Sequence, residues 1–435
     1  MSNLTTGKAF SNFIWIIGSK VIQALLGLVI SAFTARYLGT ANSGLIDYVA
    51  SLVNFVLPIA QLGLSAIIVQ EVINSRDKEG EVLGSAIVLS LISSAICYIA
   101  ILLFTFFVNA GEKETLICCA VYGISLFFQA VQLITYWFQT VLLSKYISVL
   151  SIVAYLVVSG YKILLLICKA EVYWFALSFS IDFGVIAIGG LIFFKKITGK
   201  SLGINKNICK MLISKGKYFI LSGIMVTIFS QTDKIMLKLM IDDSATGIYG
   251  AALKCAGLLN FVYIAIIDSV RPLILESKLT DEEAFEKNTK FLFSIIIYMS
   301  LIIGGVTFIF SDEIILLLCG EDFIAASNVL KVLAWAPLFS YLGIGRDIWL
   351  VANEHHAKIW GLNLSGAIMN IVLNIFFIKY YGVVGAAIAS LISKVFTYFV
   401  MVVLIKSISR CGYLMLQSLN PTILLSVIKK KMKKG

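Results

Sequence analysis

The sequence predicts an all-α integral membrane protein with about twelve transmembrane helices in two six-helix lobes. Three observations carry that reading. The chain is 60% apolar and only 14% charged, whereas a soluble domain carries about 25% charged residues. Its apolar residues gather into windows long enough to cross a bilayer as helices, which takes about 20 residues each. Its lysines and arginines are distributed very unevenly between alternate loops.

Taken in order, the windows lie near 10–35, 45–70, 82–108, 115–142, 147–167, 172–194, 217–240, 247–270, 290–310, 324–351, 358–378 and 383–405. The first is too long for the apolar core of a signal peptide, and no small-residue cleavage site follows it, so it reads as a first span that also targets the chain. Several windows exceed 20 residues, which predicts tilt or kinks. A basic stretch from Lys195 to Lys217 separates six spans from six. The expected organisation is an N-terminal lobe over 1–205, a C-terminal lobe over 206–408 and a basic cytoplasmic tail over 409–435.

Charge sets the orientation. With the N-terminus inside, 23 Lys and Arg fall in inner loops and termini, and 4 (Arg36, Lys113, Lys169 and Lys379) fall in outer ones. Basic residues accumulate on the cytoplasmic side of short loops, so both termini are expected to be cytoplasmic. The same excess accounts for the net charge of +11 without a nucleic-acid partner. Residues 412–428 mix apolar residues with Gln417, Asn420 and Pro421 and run into five lysines. A thirteenth span would put those lysines outside, so the segment reads as interfacial, anchored to anionic lipid.

Other chemistries find little support. The eight cysteines show no metal-site spacing and read as small buried apolar residues. There is no phosphate-cradling glycine loop, no His-rich loop, and no outer loop of much more than a dozen residues. An enzyme is not expected, nor is a cofactor or a bound metal.

A weak internal repeat aligns Gly44-Leu45-Ile46 with Gly247-Ile248-Tyr249, at a shift of 203 residues, as in transporters built from two related halves. Three stretches then resemble a known family. They are Ala35-Arg36-Tyr37-Leu38-Gly39-Thr40 with Gly44 and Leu62-Gly63-Leu64-Ser65; Asp233-Lys234-Ile235-Met236-Leu237 with Gly247-Ile248-Tyr249-Gly250-Ala251-Ala252; and Asn370-Ile371-Val372-Leu373-Asn374 with Tyr381-Gly382-Val383-Val384-Gly385-Ala386-Ala387. Together they resemble the polysaccharide transporter family, the Wzx-type flippases of the MATE-like superfamily. Thr40 departs from the family's usual proline, and Lys379-Tyr380 from its Ile-Pro. The resemblance implies two lobes facing a central cavity and alternating access. It also implies an undecaprenyl-diphosphate-linked oligosaccharide as substrate (O-antigen, capsule or exopolysaccharide units), the bacterial inner membrane as location, and a polysaccharide polymerase and chain-length regulator as partners.

Polar residues inside spans are costly, so each is a candidate for function. In span two Asp47, Ser51, Asn54, Pro58, Gln61 and Ser65 fall on one helical stripe, facing a water-filled cavity or another helix. Thr227, Gln231, Lys234 and Lys238 form a similar stripe in span seven. Lys20 lies midway along span one and Lys254 near the start of span eight. On the helices that line the cavity in the family, these cations would attract a diphosphate; for Lys238 and Lys254 a structural pair or snorkelling competes. Substrate contact is therefore assigned to Lys20, Lys234, Asp47, Asn54, Gln61, Gln231, Lys238 and Lys254. Asp233, Asp268, Arg346 and Asp347 are coupling or gating candidates. Arg346 and Asp347 are adjacent in span ten, where side chains point about 100° apart and are not expected to face each other. Asn363, Asn370 and Asn374 form a stripe in span eleven that suits interhelical hydrogen bonds.

Rival readings are an ion-coupled drug or cation antiporter of the same superfamily and a polytopic polysaccharide polymerase. The first would favour buried acids over a cationic cavity. The second needs a large outer catalytic loop. A third rival is a flippase for the peptidoglycan precursor, which resembles this plan but usually carries two further spans.

Overall fold

The computed structural model describes residues 2–422, with side chains from Val29 onward. Among them every regular element is helical. Nine helices are long and apolar enough to cross a membrane, and a tenth results when Asp243–Ala256 and Asn260–Thr280, bent by 46°, are taken as one span. Two of the nine are double: Val29–Asn74 has 46 residues and His356–Leu404 has 49. Each is divided by a glycine in left-handed backbone, Gly39 at φ 69° and Gly382 at φ 57°. A side chain in that conformation costs about 1–2 kcal/mol, which is why glycine stands at both junctions.

The described residues thus hold twelve crossings, as the hydropathy windows predict. They are α1 (2–38), α2 (40–74), α3 (Arg76–Val108), α4 (Lys113–Thr140), α5 (Ser144–Ile167), α6 (Val172–Thr198), α7 (Lys206–Met240), α8 (243–280), α9 (Glu282–Ile309), α10 (Ala326–Ala352), α11 (356–381) and α12 (383–404). A short helix, Ser311–Leu318, lies between α9 and α10, and α13 (Ser409–Gln417) follows α12.

Packing divides the chain into two compact units, 1–231 and 232–435. In the first, α2 breaks at 61–63, where Leu62 and Gly63 are both left-handed at φ 52° and 59°. Pro58 just before the break has no N–H to give the helix, and its carbonyl accepts from Gly63 N at 3.2 Å. The first part of α7 seats against this break through glycines. A Cβ on Gly216 would stand 2.5 Å from Leu62 O, and one on Gly223 would stand 2.7 Å from Pro58 Cβ. Small residues let helix backbones approach this closely inside a membrane. Lys215 Nζ pairs with Glu71 Oε1 at 2.5 Å beside the same seam.

The basic linker is strapped to the start of α3. Gly203 N donates to Gly80 O at 3.2 Å, Asn205 N to Ser85 Oγ at 3.0 Å, and Lys200 Nζ to Glu79 Oε1 at 2.9 Å. Trp137 Nε1 donates to the other Glu79 oxygen at 2.7 Å, so this carboxylate joins the linker, α3 and α4.

In the second unit Tyr263 of α8 stacks on Tyr341 of α10 with centroids 4.2 Å apart and planes within 2°. They belong to a core with Phe293, Trp349 and Leu414. Leu414 lies on α13, and Cys411 and Met415 of the same helix are also buried. Ser294 Oγ donates to Ser418 O at 3.1 Å, and Tyr298 OH to Leu419 O at 2.5 Å. The segment from Ser409 to Leu419 is thus part of the second unit's core, while Tyr413 and Leu416 stay exposed. The tail lysines, and the anchor expected of them, lie outside the described residues.

The glycine seam predicts a sharp contrast. Gly216→Ala should destabilise the chain by about 1–3 kcal/mol, the usual range for overpacking a close contact. Gly160→Ala in α5, where a Cβ meets nothing within 4 Å, should be neutral or stabilising by up to about 1 kcal/mol. Thermal unfolding in detergent checks both; equal melting temperatures for the two variants would contradict the packing described.

Candidate functional site

The most elaborate polar centre of the second unit is built on Asp233, which is 4% exposed. An ionised carboxylate buried this far must be paired or hydrogen-bonded. Its partners come from three other helices. Tyr249 OH of α8 donates to Oδ2 at 2.5 Å, and Ser390 Oγ of α12 donates to the same oxygen. Asn374 Nδ2 and Asn370 Nδ2 of α11 donate to Oδ1 at 2.7 and 3.1 Å. Asn374 Nδ2 also reaches Asn370 Oδ1 at 3.2 Å. Bonds to a charged acceptor are roughly twice as strong as neutral ones, so four donors on one carboxylate tie α7, α8, α11 and α12 together.

Local sequence explains the convergence. Asp242 caps α8, accepting from Ala245 N at 2.7 Å, and this starts the helix that carries Tyr249. Asn370 and Asn374 are one turn apart and share a face. Asn374 Oδ1 is buried without a hydrogen-bond partner. A carboxylate beside an unused amide oxygen is a hard-oxygen environment suited to a proton or a small cation. Among the described residues no group of three or more His, Cys, Asp or Glu could hold a metal ion.

A second centre surrounds Arg346, whose side chain is fully buried. Its Nε and Nη2 donate to Asp347 Oδ1 at 3.0 and 2.7 Å. This corrects the expectation that the two do not face each other. The 100° offset holds for the Cα–Cβ bonds, but the long arginine arm curls back so that its guanidinium meets the neighbouring carboxylate. Nη2 also reaches Asn363 Oδ1 at 3.4 Å, and Nη1 donates to Thr397 O at 3.0 Å. Thr397 lies in a π-helical turn of α12, Phe396–Val400, and Tyr398 of that turn lies 5.1 Å under the guanidinium.

The other candidates are dispersed. Asp47 is buried at the start of the α2 stripe, whereas Asn54 and Gln61 are half-buried. Part of that stripe packs against α7: Pro58 meets Gly223, and Thr227 Oγ1 lies 3.4 Å from Phe55 O. Gln231 Nε2 donates to Ser230 Oγ at 3.3 Å. Lys238 is paired with Asp243 at 2.5 Å, the structural pair weighed against substrate contact. Lys234 is half-buried and Lys254 exposed. Asp268 is half exposed and lies 3.8 Å from Arg271 Nη1. The side chain of Lys20 lies outside the described residues. Tyr249 and Ser390 were not singled out as site residues by the sequence. Tyr249 lies inside a family-like stretch; Ser390 carries no signal beyond being a hydroxyl in an apolar run.

The fold is one that solved transporter structures share. It superposes on the lipid II flippase MurJ in an inward closed conformation with a TM-score of 0.70 at 14% identity, covering 96% of this chain and 93% of that one. An inward-facing multidrug resistance MATE family transporter of the MOP superfamily gives 0.67 at 15% identity, covering 90% and 95%. The chain belongs to the polysaccharide biosynthesis protein family, whose model matches residues 9–278. A curated relative, the probable low-salt glycan biosynthesis flippase Agl15 of Haloferax volcanii, is 24% identical over 369 residues, which is 83% of this chain and 76% of that protein.

Removal of the guanidinium should be costly. Arg346→Ala leaves the Asp347 carboxylate and the Thr397 carbonyl without their donor, and should cost about 2–3 kcal/mol. Thermal unfolding of the purified variant checks this, and an unchanged melting temperature would show that the centre contributes nothing to the fold.

Proposed function

We propose that this chain flips lipid-linked oligosaccharides across a membrane by alternating access, with a cation gradient as the driving force. The observation that carries the reading is a buried, multiply hydrogen-bonded carboxylate inside a twelve-span chain of the polysaccharide biosynthesis family. The flippase named among its relatives supports the substrate class. In this reading Asp233 is the coupling carboxylate: binding and losing a cation changes how many donors it needs. Lys20 and Lys234 are the cations that attract the diphosphate, each at a comparable place in its half of the sequence. The finer assignment is an undecaprenyl diphosphate carrier bearing O-antigen, capsule or exopolysaccharide units in a bacterial inner membrane, with both termini cytoplasmic. A polymerase and a chain-length regulator would act on the product. The sugar is moved without a covalent step, so no enzymatic activity is assigned.

One observation favours the antiporter as a second reading. Four acids are buried in spans: Glu71 and Glu79, which pair with Lys215 and Lys200, and Asp47 and Asp233; buried acids are what an exporter of organic cations would require.

The test is complementation in the chain's own host after deletion of its gene, scoring membrane level and surface polysaccharide. The wild-type chain should restore display. Lys20→Ala and Lys234→Ala should lose most of it at normal membrane level, and the arginine variants should keep part, since arginine preserves charge but not point-like geometry. Full display by both alanine variants would refute the role of the lysines. Failure of the wild-type chain to restore display, with export of organic cations instead, would favour the antiporter.

A further inference from the structure

The two polar centres of the second unit are parts of one column. On α11 Asn363 of the Arg346 centre lies seven residues before Asn370 of the Asp233 centre. On α12 Thr397 lies seven residues after Ser390. Seven residues are almost two helical turns, so each pair shares a helix face, with its members about 10 Å apart along the axis. Lys394 falls between Ser390 and Thr397 at i+4 and i−3, on the same face.

The centres lie toward opposite ends of their helices. Asp233 is seven residues from the end of α7 at Met240, and Tyr249 is six residues into α8. Arg346 is six residues from the end of α10 at Ala352, and Asn363 is seven residues into α11 from His356. Between them α11 and α12 are in close contact: a Cβ on Gly366 would stand 2.1 Å from Thr397 Oγ1.

Each centre also holds a buried oxygen without a hydrogen-bond partner. These are Asn374 Oδ1, on a residue 0% exposed, and Thr397 Oγ1, on one 1% exposed. A buried polar atom of this kind asks for an explanation: the Asn374 oxygen is an acceptor to spare, and the Thr397 hydroxyl can both give and take a proton. Asp347 supplies an entrance, because its side chain remains 35% exposed while that of Arg346 is fully covered.

We infer that the second unit contains a proton path, with Asp347 exchanging protons at the end near the turn 353–355 and Asp233 holding the proton at the other. The inference rests on Asp233 being the coupling carboxylate. The Thr397 hydroxyl, bridging waters and the Ser390 hydroxyl, which already donates to Asp233 Oδ2, relay the proton between them, each giving one proton as it takes another. The column favours a proton over a metal cation. The four groups that face Asp233 are hydrogen-bond donors, which suit exchange of a proton on one oxygen, whereas a hard cation needs several oxygen ligands. The balance at Asp233 is simple. The carboxylate takes up one proton on Oδ2 and becomes a donor at an oxygen that already accepts from two hydroxyls. One of these, on Tyr249 or Ser390, must turn away, which loosens α8 or α12. Loss of the proton restores the full set.

The test uses the full chain in liposomes of phosphatidylethanolamine and phosphatidylglycerol. The readout is the rate of flipping of a fluorescent polyprenyl-diphosphate glycan, expressed as the ratio of rates with and without an imposed pH step. The wild type should give a ratio well above one. Asp233→Asn, Asp347→Asn and Thr397→Val should each bring it to one, and Thr397→Ser, which keeps the hydroxyl, should restore it. Fold is monitored by melting temperature, and the Thr397 pair decides the matter if Asp347→Asn does not fold. If Asp233→Asn loses the response while Thr397→Val keeps it, the path is wrong and the coupling role of Asp233 stands. If the wild type gives a ratio of one, or Asp233→Asn retains the response, the coupling role itself fails and the path with it.

Discussion

A carboxylate buried this deeply must find its hydrogen-bond partners within the protein, and that constraint organises the second unit. Asp233 accepts four hydrogen bonds from side chains on three other helices. Each donor must arrive with its helix at the right rotation and depth. The cap on α8, the one-turn spacing of Asn370 and Asn374, and the phase of α12 all serve that arrival. A network of this kind is worth more intact than in pieces, and so any change in the charge of Asp233 acts on several helices at once. Under the proposed function, that would link a fold-stabilising centre to movement between states.

The first unit is held differently. Its contacts at the α2 break and along the linker are close backbone approaches at glycine, supported by partly exposed ion pairs. Surface pairs such as Lys215–Glu71 and Lys200–Glu79 contribute about 0–1 kcal/mol each, so their main value is in fixing register. The tight fit at Gly216, Gly223, Gly80 and Gly84 leaves little room for sliding. The two units therefore differ in what resists change: shape in one, charge and hydrogen bonding in the other.

Much of the fold was legible in the sequence because hydropathy and basic-loop asymmetry are properties of single segments. The twelve windows correspond to the twelve crossings, and Gly39, Gly63 and Gly382, all within family-like stretches, mark left-handed backbone. The site was legible only in pieces. Asp233, Tyr249, Asn370 and Asn374 all stand in stretches that carried the family resemblance, yet periodicity says which face of a helix is polar and not which helix it meets. The Arg346–Asp347 pair was misread for a related reason, since an offset between Cβ directions does not limit a long side chain. The π-helical turn that receives Arg346 has no sequence signature at all.

The central claim is that Asp233 and its donors form one coupled unit rather than separate neighbours. A double-mutant cycle with Asp233→Asn and Asn374→Leu, read by unfolding of the purified chain, measures this directly. Hydrogen bonds to charged groups are worth about 1.5–3 kcal/mol, so the double variant should lose about 2 kcal/mol less than the sum of the two single losses. Losses that add within about 0.5 kcal/mol would contradict the account, because they would mean that Asn374 does not depend on the charge it faces.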